Sequence, residues 1–302
     1  MNGTAFLTIF NSKKIMKYFS TFLLLSFIVL ISSCKKKTTD TEEPKLIIKI
    51  VVDSTQIRLG NLGTASTIPA GNAGQHPNFN SIAAHYLELA PSATTALGSG
   101  AILYHAPETT AGGSTAIDFS QAIVKKSGEV YLEIPLKDVP VGNYEWVRLS
   151  VSYQNYDVKF HYAGQPYTGT IASFVGFKNY ITSFLVKNQS VAVNANKSQG
   201  YWAFESIAGV QSGQSAGSTT VPNPLASTSP IPAGSCVVTG QFANPFSITG
   251  NEKNDITVIM SLSVNKSFEW KDLNGNGKWD VDPGSGEDVV DMGLRGLIPI
   301  VQ

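Results

Sequence analysis

From Leu46 to Val301 the chain is a succession of short apolar runs, each cut off by Gly, Pro, Asn or Ser before it reaches helical length. Leu46-Ile47-Ile48-Lys49-Ile50-Val51-Val52-Asp53 opens the series and is rich in β-branched residues, whose stiff side chains suit a pleated sheet. His85 to Leu89, Ala101 to His105 and Glu129 to Pro135 read as further strands. A Pro140-Val141-Gly142-Asn143 turn then leads into Tyr144 to Val151, followed by Asp157 to Tyr162, Ile171 to Phe177 and Tyr180 to Val186. Cys236 to Phe242, Phe246 to Thr249, Ile256 to Val264 and Ser267 to Trp270 complete the set. The best short helical window is Thr115 to Lys126, and no repeat is present. Many short strands separated by turn signals predict an all-β chain folded as an antiparallel β-sandwich.

Two polar stretches punctuate this pattern. Residues 54–80 carry Gly, Asn, Pro and Ser throughout and read as loop, and residues 211–234 read as a long Ser/Gly/Pro-rich loop. Residues 144–204 hold 14 of the 30 aromatic side chains, which marks that stretch as the centre of the core.

The N-terminus has a different character. A 14-residue apolar run, Tyr18 to Ile31, follows Lys13, Lys14 and Lys17 and ends in Ile31-Ser32-Ser33-Cys34. A spanning helix needs about 20 residues, so the run has the length of a signal-peptide core rather than a membrane span. The order basic, apolar, small, cysteine resembles the lipobox of bacterial lipoproteins. The resemblance implies cleavage after residue 33, lipidation of Cys34 by diacylglycerol and palmitate, and membrane attachment through that anchor. The alternative is an uncleaved signal anchor held by Lys35, Lys36 and Lys37. Met16-Lys17 begins a compact signal peptide by itself, which makes Met16 a second candidate start. Residues 34–44 lack large apolar side chains and read as a flexible tether, leaving residues 45–302 as the folded domain. Acids soon after the cysteine and the Pro-x-Gly-x-Tyr strand entry at Pro140 to Tyr144 resemble envelope lipoproteins of the Bacteroidota. Those resemblances imply an outer-membrane location on either the periplasmic or the surface face.

Charge excludes one class of partner. The 22 basic and 22 acidic residues become 19 and 22 once residues 1–33 are removed, a net charge of −3 with no basic excess for nucleic acid. With Cys34 lipidated, Cys236 has no intrachain partner, so the chain is not a disulfide scaffold and Cys236 reads as a small core residue.

One constellation carries chemistry. Asp272-Leu273-Asn274-Gly275-Asn276-Gly277-Lys278-Trp279-Asp280 places oxygen side chains at loop positions 1, 3, 5 and 9 and glycine at position 6. Calcium takes six to eight oxygens, and alternate side chains on a tight turn can all point inward, with the Lys278 carbonyl at position 7. The segment resembles the EF-hand-like calcium loops of bacterial envelope proteins. It departs from them at position 12, where Pro283 replaces the bidentate glutamate. The resemblance then implies that Val281 to Gly286 is an insertion and that Glu287 closes the site, within a loop spanning residues 272–291. The competing reading is a plain hairpin turn, since Asn-Gly pairs favour turns without metal.

Other candidates are weaker. His85 and His105 sit on or beside strands and could meet Glu88 or Glu108 around a transition metal, although no two histidines share a ligand-like spacing. Tyr162, Tyr167, Tyr180, Tyr201 and Trp202 could form an aromatic platform for glycans. No Gly-x-Ser-x-Gly elbow, P-loop or His-Glu-x-x-His occurs. The sequence therefore points to a lipid-anchored, calcium-stabilised and non-enzymatic binding or structural module. A glycan- or transition-metal-binding accessory lipoprotein is the alternative.

Overall fold

A computed structural model describes residues 43–60, 64–215 and 229–302. The predicted signal sequence, Cys34, most of the predicted tether and the middle of the Ser/Gly/Pro-rich segment lie outside them. Nineteen strands occur among these residues. They begin with β1 (Lys45–Asp53), β2 (Asn72–Gln75), β3 (Asn78–Ala90), β4 (Ala101–His105), β5 (Glu108–Thr109), β6 (Ala116–Asp118) and β7 (Val124–Lys125). Next come β8 (Val130–Pro135), β9 (Gly142–Tyr162), β10 (Gln165–Phe174), β11 (Asn179–Leu185), β12 (Ser190–Lys197) and β13 (Tyr201–Ser206). The last are β14 (Gly209–Gln214), β15 (Cys236–Ile248), β16 (Ile256–Ser263), β17 (Phe268–Lys271), β18 (Val289–Met292) and β19 (Arg295–Val301). The fold is all-β and sandwich-like, as the strand pattern predicts.

An eight-stranded sheet forms the centre, in the order β14-β13-β10-β9-β3-β4, with β15 also paired to β9 and β7 to β3. Three smaller sheets pack around it: β19-β16-β1-β8, β12-β11-β6-β5 and β18-β17-β2. Leu46, Ile48 and Ile50 alternate along β1 and meet Leu87, Leu89, Val147, Leu149, Val258 and Met260 in the largest core cluster. Each such aliphatic side chain, fully buried, contributes about 1.5–3 kcal/mol relative to exposure. A second cluster joins Tyr153, Phe174 and Tyr201 to Ile181 and Phe184 of the β11 sheet. A third joins Tyr156, Val158 and Ile171 to Phe268 and Trp270 of β17, with Trp279 against it.

Strand β9 organises the sheet. It runs 21 residues and is buried on both faces from Val147 to Tyr156. Its alternating polar residues, Ser150, Ser152 and Gln154, are therefore interior. Gln154 Nε2 donates to Ser173 Oγ at 3.0 Å and to the Met292 carbonyl, and Asn155 Nδ2 donates to the Val186 carbonyl at 2.7 Å. Those bonds offset the cost of burying polar groups.

Several sequence expectations change. The two runs predicted at Tyr144 to Val151 and Asp157 to Tyr162 are one strand, β9, in which the intervening Gln154 and Asn155 donate to partners inside. Residues 72–75 and 78–80 are strand rather than loop, since β2 pairs with β17 and β3 with β9. Residues 211–214 belong to β14, paired to β13. Strands β12 and β13 are absent from the sequence reading: β12 alternates Val191 and Val193 with small and polar residues, and β13, Tyr201 to Ser206, has no β-branched residue. Thr115 to Lys126 forms β6, a single 3-10 turn and β7 instead of a helix. Ile117 and Asp118 there pair in parallel with Asn179 and Tyr180, so sheet hydrogen bonds replace helical ones. Pairing is also not wholly antiparallel: β1 and β16 run parallel from Leu46↔Ile256 to Asp53↔Ser263, which the long intervening chain permits.

Candidate functional site

The Asp272–Asp280 segment is an exposed loop leaving β17. Gly275 and Gly277 both have φ of +70°, the left-handed conformation in which a side chain would be strained. The loop's side chains turn inward on its own backbone. Asp272 accepts the amides of Asn276 and Gly277 at 3.1 and 3.0 Å, and Asn276 Oδ1 accepts the Lys278 amide at 2.7 Å. Asn274 Nδ2 and Asn276 Nδ2 both donate to Asp280 Oδ2 at 2.8 Å. Those two bonds hold the Asp280 carboxyl below its ordinary range. Asn274 and Asn276 thus turn their amide nitrogens to Asp280, while the oxygens of Asp272, Asn274 and Asn276 cap amides of the loop backbone.

Glu287 reaches the same loop from beyond residues 281–286. Its Oε1 accepts the Leu273 amide at 2.8 Å and its Oε2 the Asp280 amide at 3.0 Å, and its side chain is buried. Of the other nearby acids, Asp288 is exposed, and Asp282 and Asp291 are occupied elsewhere. Asp282 Oδ1 accepts the Ala163 amide at 2.7 Å, and Asp291 pairs with Arg295 at 2.9 Å. Asp272, Asp280 and Glu287 bring carboxylate oxygens to the loop, the donor type a hard cation takes, while Asp280 Oδ2 already accepts both asparagine amides.

The loop is fastened to the sheet. His161 at the end of β9 donates its amide to the Trp279 carbonyl at 2.8 Å and accepts the Val281 amide at 2.9 Å. This bracing places Trp279 in an aromatic nest, with ring centroids 4.8 Å from Phe268, 5.9 Å from Phe204 and 6.3 Å from Phe160. Beside it opens a groove of about 800 Å³, within the usual range for a small-ligand site. Tyr162, Tyr167, Trp202, Phe204 and Trp279 line it, and Glu287 lies in its wall. Of the five aromatics singled out by sequence, three meet here. Tyr201 is instead core, with Lys197 Nζ 4.7 Å over its ring, and Tyr180 lies on β11. Phe160 and Phe204, which complete the nest, fall within the aromatic-dense stretch but alternate with core residues and give no separate signal.

A buried ion network behind the loop has no sequence signature at all. Glu269 of β17 pairs with Arg58 and, at 3.2 Å, with Arg295, while Asn72 Nδ2 donates to its other oxygen at 2.6 Å. Its members come from four distant points of the chain.

The histidines also converge. His85 of β3 is fully buried and His105 ends β4; their ring centroids are 5.1 Å apart. Glu108 Oε1 lies 3.0 Å from His85 Nε2 and 3.3 Å from His105 Nε2. Burial pushes the His85 imidazole down to about 4 against the pull of Glu108, so it is neutral at pH 7. Glu88, the other acid considered, is buried against Arg148 and accepts the Gly98 amide at 3.1 Å. His76 and His161 stand apart. Among the described residues no helix is long and apolar enough to cross a membrane. Searches against family models, curated proteins and solved structures find no match to this chain.

Proposed function

We propose that the chain is a non-enzymatic binding module of the bacterial cell envelope, lipid-anchored through Cys34, in which a calcium loop shapes an aromatic groove for glycans. The observation that carries this reading is the junction of loop and groove: Trp279 and Glu287 belong to the loop and also line the groove. Calcium is held by Asp272, Asn274, Asn276, Asp280 and Glu287, with Lys278 offering its carbonyl. The flat faces of Tyr162, Tyr167 and Trp202 stack on the apolar faces of sugar rings, and their polar tips stay in water. Glu287, the buried carboxylate of the wall, has both oxygens engaged by backbone amides, which favours a structural over a catalytic role.

Extracellular calcium modules bind at about 10⁻⁴ to 10⁻³ M. At roughly 100-fold excess over the dissociation constant, binding only the folded state adds about 2.7 kcal/mol. The full chain is therefore expected to melt at higher temperature in calcium chloride than in chelator, and Asp272→Ala is expected to abolish the difference. A glycan array probed with and without calcium is expected to give calcium-dependent signal that Trp202→Ala removes. A melting temperature indifferent to calcium would falsify the loop assignment. An array blank in both conditions overturns the glycan assignment.

A further inference from the structure

We propose that His85, His105 and Glu108 form a mononuclear site for a divalent transition-metal ion of the zinc class, its fourth position open to water or an outside donor. The site is separate from the calcium loop and independent of the groove reading. Among the described residues these three form a group whose candidate ligand atoms all lie within 4.8 Å of one another. The observed spacings of 3.0 and 3.3 Å from Glu108 Oε1 to the two Nε2 atoms suit a shared ion. Donors about 2.0–2.2 Å from a tetrahedral zinc stand roughly 3.3 Å from one another.

The His85 ring supplies an independent observation. It is fully buried, lies face-on to Phe177 with 11° between planes, and its Nδ1 has no hydrogen-bond partner. Its polarity is thus directed through Nε2 alone, at the point where Glu108 and His105 arrive. Solvent can reach that point, because His105 and Glu108 both keep exposed side-chain surface.

The backbone fixes the three ligands firmly. Tyr86 pairs with His105 across β3 and β4, and the Ala106 amide donates to the His85 carbonyl at 2.8 Å. Glu108 pairs with Ile117, and the Asp118 amide donates to the Pro107 carbonyl at 2.8 Å. The segment from His105 to Glu108 is therefore tied at both ends, leaving little ordering to be done on metal binding. Two imidazole nitrogens and one carboxylate oxygen make a donor set matched to zinc with an open coordination position. A hard calcium ion prefers the all-oxygen loop instead.

The test uses the full chain, stripped with chelator and returned to calcium-containing buffer, titrated with zinc chloride in a calorimeter. One zinc per chain is expected. His105→Ala and Glu108→Gln, both at the exposed rim, are each expected to weaken binding by roughly tenfold or more, at least the cost of losing a supporting group. Asp272→Ala is expected to leave zinc affinity unchanged. Cobalt(II) in place of zinc is expected to give visible absorption bands of a low-symmetry nitrogen–oxygen site in the wild type, a readout that needs no variant to fold. No stoichiometric zinc uptake, or uptake that both rim variants retain at wild-type affinity, overturns the site.

Discussion

Trp279 donates its indole N–H to the main-chain carbonyl of Glu287 at 3.1 Å. The bond closes a short circuit, because the Glu287 carboxylate in turn accepts the Asp280 amide and the Glu287 amide donates to the Asp280 carbonyl at 2.8 Å. A rearrangement of the loop around an ion is therefore felt at the ring that walls the groove. The circuit makes Trp279 both a stability element and a reporter.

Substituting Trp279 separates those roles. Trp279→Phe keeps most of the ring packing against Phe268 and loses the N–H bond, for an expected cost of about 1 kcal/mol. Trp279→Ala also opens the nest and is expected to cost about 3 kcal/mol, somewhat below a fully buried tryptophan because the ring is partly exposed. Urea unfolding of the two variants checks the order. Equal costs for Phe and Ala would mean that the nest contributes nothing.

Glu269 offers a sharper case. Its carboxylate is buried between Arg58 and Arg295 and also accepts from Asn72. Glu269→Gln keeps the shape and removes the charge, leaving a buried Arg58 without its anionic partner. Breaking one side of a buried ion pair costs about 3–5 kcal/mol. Denaturant midpoints are expected to fall accordingly, with the slope unchanged. A loss below about 1 kcal/mol, the level of an exposed pair, would show that water relieves the network.

How much of this was legible in the sequence follows from what each feature depends on. The strands of the core were legible because runs such as Leu46 to Asp53 are rich in β-branched residues, which is a local property, although the alternation of Leu46, Ile48 and Ile50 into the core shows only in the fold. The inward-turned loop was legible because Asp272, Asn274, Asn276 and Gly277 are close neighbours whose spacing sets the turn. The approach of Glu287 could be stated only through resemblance, since the insertion hides the spacing. The polar interior of β9 misled, because Ser150, Ser152 and Gln154 look like a wet face, and only packing on both sides of the sheet buries them, with Ser173 and Met292 accepting from Gln154. Arg58, Glu269 and Arg295 were invisible for the same reason. The histidine cluster was visible only as a possibility, because β3 and β4 must pair in one register to bring His105 to His85.

Cys236 gives a chemical test of burial. The residue as a whole is half-buried, but its thiol is pushed up to about 12, chiefly by burial and further by the Asp291 charge. At pH 8 only about one thiol in 10,000 is then thiolate, the reactive form. Iodoacetamide is expected to leave the Cys236 peptide unmodified in the native protein over an hour and to label it completely in urea. Rapid native labelling, read by peptide mass mapping, would place the thiol in an open environment.

Acid stability depends on Glu205, which fastens the turn between β11 and β12 to the central sheet. Its Oε2 accepts the amides of Lys187, Asn188 and Gln189 at 2.9, 2.9 and 3.0 Å. Burial pushes the carboxyl up, but these amides outweigh it and hold the group below its ordinary value of 4.5. A depressed folded value means that the unfolded chain binds the proton first. The stabilisation is therefore fully present above pH 4.5 and is lost as pH falls through the lower folded value. Glu205→Gln is expected to cost about 1.5–3 kcal/mol at pH 7, the range for hydrogen bonds to a charged group. The variant and wild type should converge as pH falls through the lower folded value and the carboxyl is neutralised. Stability measured by urea unfolding from pH 7 down to pH 3 checks this. A constant difference across that range would mean that Glu205 acts through its shape and not its charge.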